Sequence, residues 1–295
     1  MLSPNFATAS LAAEQPPPPV VAATIFVPEE NNPPVHRRQS SSNNIYNGPK
    51  PSLSRLAMTV LLTGDIRPIS APVNASYALE FPGPSISCEA ANATLLKTLN
   101  LDPGAPGYTT DFLAAVPKGN PWQLQVAQGP GGQVNGSRNA SGIVCQVYNA
   151  TYNVYLNFTN GQQTLNVTSI ALQRSTPLPD QTSSEDIQIL NYRAFMEAFT
   201  NPIVGNVSHS PKSVYTVSSS VLETQLAYGP DLQNVYVDRP LLHPSLTLKS
   251  GIEALWQNYT LSLLNSELSD LYVSGILLLR FCIYKILVNQ IFLRI

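Results

Sequence analysis

Two runs of alternating apolar and polar residues, Tyr152-Asn153-Val154-Tyr155-Leu156-Asn157-Phe158-Thr159 and Gln162-Gln163-Thr164-Leu165-Asn166-Val167-Thr168, flank the dipeptide Asn160-Gly161. Both residues of a two-residue type I′ turn need positive φ, which asparagine and glycine tolerate best, so the pattern predicts a β-hairpin. Such a loop pairs Leu156 with Leu165 and Val154 with Val167. Tyr152, Val154, Leu156, Phe158, Leu165 and Val167 then share one face, which is apolar and belongs to a core. The other face carries Asn153, Tyr155, Asn157, Thr164, Asn166 and Thr168.

Asn157 and Asn166 each begin an Asn-x-Ser/Thr triplet, the acceptor pattern for N-glycosylation in the secretory lumen. The chain has nine such triplets, at Asn74, Asn92, Asn135, Asn139, Asn149, Asn157, Asn166, Asn206 and Asn258. Independent placement of its 24 Asn and 48 Ser/Thr over 295 residues yields about four. None lies in the first 73 residues, although six asparagines do, so the enrichment belongs to a segment. A glycan needs solvent, and the hairpin puts two acceptors on its polar face.

Charged residues make up 12% of the chain, against roughly 25% in ordinary soluble proteins, which leaves solubility to other groups, sugars among them. The net charge of -2 offers no concentrated cationic face, so nucleic acid is not an expected partner. Of three cysteines, Cys88 and Cys145 lie within the acceptor-rich segment and Cys282 in an apolar tail. A Cys88 to Cys145 disulfide would close a loop of about 58 residues and stabilise by roughly 4 kcal/mol in the chain-entropy model. Two reduced core thiols are the reading that a cytosolic location would require.

Residues 1–55 are rich in Pro, Ser and Asn without apolar periodicity and are expected to form a disordered linker. No basic region followed by an apolar run marks a secretory signal there. Residues 56–270 form the expected domain, a glycosylated ectodomain that is mainly β with a few helices (α+β) and either an antiparallel sheet or sandwich-like. Strands are predicted over 56–63, 76–81, 122–127, 142–149, 152–159, 162–170 and 213–220. Helices are predicted over 185–200, from the stripe Tyr192, Phe195, Met196 and Phe199, and over 250–267, from Ile252, Leu255, Trp256, Tyr259 and Leu263. Asn258 lies off the second stripe, where a glycan is allowed. Residues 271–295 are apolar but contain Arg280 and Lys285, so the insertion sum comes near zero. That tail reads as a transmembrane segment, with its positive end cytoplasmic, or as translated intron beginning at Val273-Ser274.

Chemical motifs are sparse. His36, His209 and His243 share no metal or catalytic spacing, and His-Glu-x-x-His, Cys-x-x-Cys, Gly-x-Ser-x-Gly and phosphate-loop patterns are missing from the sequence. Gly129-Pro130-Gly131-Gly132 reads as a turn, Glu185-Asp186 as charge at a helix N-terminus, and Trp122 and Trp256 as core residues. No cofactor, metal or catalytic set is expected.

Several stretches resemble a family of uncharacterised fungal polytopic membrane proteins often labelled formylmethionine deformylase-like. They are Ala71-Pro72-Val73-Asn74-Ala75-Ser76-Tyr77, Phe81-Pro82-Gly83-Pro84 leading to Cys88, Cys145-Gln146-Val147-Tyr148-Asn149-Ala150-Thr151-Tyr152, Asn160-Gly161-Gln162-Gln163, and Ile252-Glu253-Ala254-Leu255-Trp256-Gln257-Asn258-Tyr259-Thr260. The resemblance covers residues 55–270 and implies a glycosylated extracytoplasmic domain between groups of transmembrane helices. The deformylase label requires metal ligands that this sequence lacks. The expected role is binding, sensing or structure at the cell surface or in the secretory pathway, with a protein or cell-wall partner; a surface hydrolase acting on carbohydrate is the alternative, signalled by a carboxylate pair in a deep cleft.

Overall fold

The computed structural model describes residues 26–28, 46–69, 75–98, 109–129, 141–175, 187–209, 215–233 and 244–264. The molecule is mainly antiparallel β with a few helices, as the sequence predicts. Two short strands, β1 (Phe26–Pro28) and β2 (Tyr46–Pro49), pair with each other. Helix α1 (Pro51–Thr63) follows, and here the structure departs from the expected strand over 56–63. Leu53, Leu56, Ala57, Val60 and Leu61 are the buried residues, a helical spacing of three, four, seven and eight that starts upstream of the stretch read as a strand. Pro51 suits the first turn, where no N–H is needed, and Gly64 closes the helix at φ 76°, returning its N–H to the Val60 carbonyl.

The main sheet contains β3 (Ala75–Ala90), β4 (Thr109–Ala115), β5 (Gln123–Gln128), β6 (Ser141–Thr159), β7 (Gln162–Ser175), β8 (Gly205–His209) and β9 (Tyr215–Val217). Its order is β3-β6-β5-β4-β8-β9, with β7 also paired to β6. The segments 142–149 and 152–159 are one strand, and β4 and β8 were not anticipated. The hairpin β6–β7 has the predicted register, with Leu156 opposite Leu165 and Val154 opposite Val167, and Asn160 and Gly161 both take positive φ, 53° and 77°. Helices α2 (Ala93–Thr98), α3 (Ile187–Thr200), α4 (Pro230–Gln233) and α5 (Leu248–Ser262) complete the described elements together with two 3-10 turns at Ser220–Glu223 and Gln225–Tyr228.

β3 and β6 pair without interruption from Ala75 opposite Phe158 to Ala90 opposite Ile143, yet their buried side changes along the way. In β6, Cys145 and Val147 are buried in one core, whereas Ala150, Tyr152, Val154, Leu156 and Phe158 are buried in another. Side chains alternate faces, so this change from odd to even places the two cores on opposite faces of one strand pair. β3 makes the same change, from Ile86 and Cys88 to Phe81, across Pro82-Gly83-Pro84. The first core is covered by α1, α3 and α5, where Phe195 stacks on Tyr259 at 3.9 Å between ring centroids and meets Trp256 edge-on. Both predicted aromatic stripes meet there. The second core is closed by Ile66, Ile69, Leu261 and Leu264.

Helix α5 seals the outer edge of β3. The Cys88 N–H donates to Glu253 Oε1 (2.8 Å), while the Pro84 carbonyl accepts from Trp256 Nε1 (3.0 Å), Thr260 Oγ1 (3.0 Å) and Tyr152 Oη (2.9 Å). Proline at an edge costs no ladder bond, and a β-carbon on Gly83 would lie 3.2 Å from Thr260 Cγ2. The close crossing therefore depends on glycine. Burial pushes the Tyr152 phenol up, so its hydroxyl remains a donor.

Candidate functional site

Beyond the first core, the helix-side face of the β3–β6–β7 ribbon is open and polar. Asn149, Thr151, Asn153, Tyr155 and Asn157 of β6 share it by alternation, with Asn166 opposite Tyr155 and Thr164 opposite Asn157. A side-chain ladder organises it: Ser76 Oγ donates to Asn157 Oδ1 (2.8 Å), Asn153 Nδ2 to Ser169 Oγ (3.1 Å) and Gln173 Nε2 to Thr151 Oγ1 (3.0 Å). Asn157 Oδ1 also accepts from Thr159, the hydroxyl residue of its own triplet, at 3.4 Å. These bonds orient the amide through its oxygen and leave Nδ2, the atom that takes a sugar, without a bond to any described residue. Asn166 is exposed on the neighbouring strand. Two bulges in β7, where Thr168 and Gln173 stand as extra residues opposite β6, twist this outer strand.

Asn157 is itself half-buried, and the other triplet asparagines differ from it in the partners that they engage. Asn92 is exposed, and its Oδ1 caps α2 by accepting from the Leu95 N–H (2.8 Å). Asn149 is half-buried, accepting from Tyr192 Oη (2.9 Å) and donating to Gln173 Oε1 (3.1 Å). Asn206 is half-buried and accepts from Ser218 Oγ (2.5 Å), while Ser208 of its triplet is buried beside Thr110. Asn258 is half-buried and donates to the Gly64 carbonyl (2.7 Å). Asn74, Asn135 and Asn139 lie outside the described residues, as do Cys282 and the tail 271–295. Cys88 and Cys145 form a disulfide between directly opposed residues of β3 and β6, both fully buried in the first core.

One titratable pair escapes the sequence reading. Asp111 is the extra residue of a bulge where β4 passes β8, because Thr110 faces Ser208 and Phe112 faces Val207. It is 1% exposed, and its Oδ2 lies 2.5 Å from His209 Nδ1, while Oδ1 has no hydrogen-bond partner. Burial pushes the Asp111 carboxyl up, against the opposing pull of the His209 hydrogen bond and charge. The residues are 98 apart in sequence, and only a bulge in an unanticipated strand joins them. A cleft between the sheet end and the start of α5 is lined by Val126, Gln128, Ile143, Asp231, Leu248 and Lys249, among others. The one carboxylate among its described lining residues, Asp231, accepts the Leu248 N–H (2.6 Å), which is helix capping and not paired acid–base geometry. Among the described residues no cluster of three or more His, Cys, Asp or Glu is placed to hold a metal, and no helix is long and apolar enough to cross a membrane.

Compared with protein-family models, with curated proteins and with solved structures, the chain shows no significant match.

Proposed function

We propose that this chain is the glycosylated extracytoplasmic domain of a membrane protein, serving binding, sensing or structure at the cell surface or within the secretory pathway. The observation that carries the reading is the open face of the β3–β6–β7 ribbon. Asn157 and Asn166 stand on it with their sugar-accepting nitrogens unengaged by described residues, directly behind the buried row Tyr152, Val154, Leu156 and Phe158. Intact triplets on both strands of this polar face support a requirement to carry sugars there. The Cys88–Cys145 disulfide supports an oxidising compartment. Membrane attachment rests on the resemblance to fungal polytopic proteins and on the apolar tail 271–295, and the partner on that basis is a protein or cell-wall component.

Expression of the whole gene in a eukaryotic host, with endoglycosidase treatment and protease digestion of intact cells, tests this. The expected result is a faster-migrating band after deglycosylation, one step lost for each of Asn157→Gln and Asn166→Gln, and surface accessibility. Unchanged mobility together with protection from external protease would overturn it.

A further inference from the structure

The Asn-x-Ser/Thr triplets are alike in sequence, but the fold engages them differently. We infer that Asn258 is a structural amide, fastening the end of α1 to α5, and that it carries no sugar in the folded protein; this rests on the glycoprotein reading proposed above. Its Nδ2, the atom a glycan would occupy, donates to the Gly64 carbonyl at 2.7 Å. Gly64 is the left-handed residue that ends α1, so Asn258 satisfies a carbonyl at a helix terminus where intrahelical donors have run out.

The rest of the triplet is equally committed. Tyr259 is fully buried and stacks on Phe195, and Thr260 is 1% exposed with its hydroxyl spent on the Pro84 carbonyl. One turn on, Ser262 Oγ donates to the Asn258 carbonyl (2.7 Å) and accepts from the Arg67 N–H (3.0 Å), tying the segment after Gly64 to the same helix. Gln225 closes the other side, with its Nε2 on the Leu62 carbonyl (2.7 Å) and its Cγ 3.1 Å from where a Gly64 β-carbon would stand.

A glycosylated amide keeps one N–H, but a sugar ring on this nitrogen must occupy the seam between α1 and α5. Asn157, also half-buried, presents the contrasting arrangement: its oxygen takes the hydrogen bonds and its nitrogen has no bond to any described residue. Transfer to Asn258 before folding would therefore yield a chain whose α1 cannot dock, and the folded population is the unmodified one. The triplet's match to the acceptor pattern is a by-product of three residues each fixed by packing.

Two measurements test the inference. The first takes the monodisperse folded fraction from a secretory host, removes glycans enzymatically in heavy-oxygen water, and maps labelled aspartates by peptide mass spectrometry. Label at Asn157 and Asn166 with none at Asn258 is expected; label at Asn258 in that fraction overturns the inference, whereas absence of label from every site overturns the glycoprotein reading on which it stands. The second uses sugar-free protein made in an oxidising bacterial host. Asn258→Asp removes the donor to Gly64 and should lower Tm by at least about 3 °C, against a change within about 1 °C for Asn157→Asp. Equal Tm for the two variants overturns the structural role whatever the glycan map shows.

Discussion

Pro84 concentrates three side-chain donors, from Tyr152, Trp256 and Thr260, on one backbone oxygen, and Asp111 shows the converse, a buried oxygen with none. The second has a consequence for pH. Because burial raises the Asp111 carboxyl in the folded state, the native protein binds more protons than the unfolded chain between the ordinary carboxylate range and the raised value. Stability from this group is thus greatest below the ordinary range, about 3.9, and falls as pH rises through the raised value. Urea midpoints measured upward from about pH 3 should show this decline in the wild type and a flatter profile in Asp111→Asn, which keeps a polar partner for His209 without a charge to desolvate; parallel profiles would refute the assignment. Such residues mark the limit of sequence reading. Asn157 and Asn166 were legible because a two-residue turn fixes face and register locally. Asp111 and His209 meet only through a bulge, which shifts register by one residue and leaves no periodic trace. The structural use of Asn258 was hidden for a related reason, since its partner Gly64 belongs to the end of a helix read as a strand.

Among the elements, the hairpin and α3 carry their periods within a single window, and both were legible. Helix α1 was missed because its first buried residue, Leu53, and its Pro51 fell inside a stretch rich in proline and serine. β4 was missed because Asp111 interrupts its alternation. The packing of α5 on β3 is long-range, joining residues such as Cys88 and Glu253 that are 165 apart. An edge strand with unpaired groups invites association with other chains, and α5 covers this one with side chains a helical turn apart, Glu253, Trp256 and Thr260. Glu253→Ala would leave the Cys88 N–H without its acceptor and should cost about 1–3 kcal/mol in chemical denaturation. Glu253→Gln retains the shape and an oxygen acceptor and should recover most of that loss; equal losses would indicate that the carboxylate charge, which glutamine lacks, is what Glu253 supplies.

Across the whole molecule, the strand pair β3–β6 is shared by two cores on opposite faces, and the disulfide crosses that pair within the first core. Replacing both cysteines by serine should lower stability by up to about 4 kcal/mol, the loop-entropy value for the 57-residue separation. In native buffer a thiol reagent should open the buried bond only as fast as the sheet opens, and rapid reduction of the folded protein would contradict its full burial. Fold class was accessible from texture, but the change of buried face at Gly83 and Ala150 was not, because each half of β6 alternates correctly and only the join between them is out of phase. That join has a spectroscopic consequence. Trp122 and Trp256 both belong to the first core and the second contains no tryptophan, so intrinsic fluorescence watches one side of the ribbon, while amide exchange at Tyr152, Val154 and Leu156 watches the other. With two strands running through both halves, the two signals should report a single melting event; a lag between them would locate a hinge at Gly83.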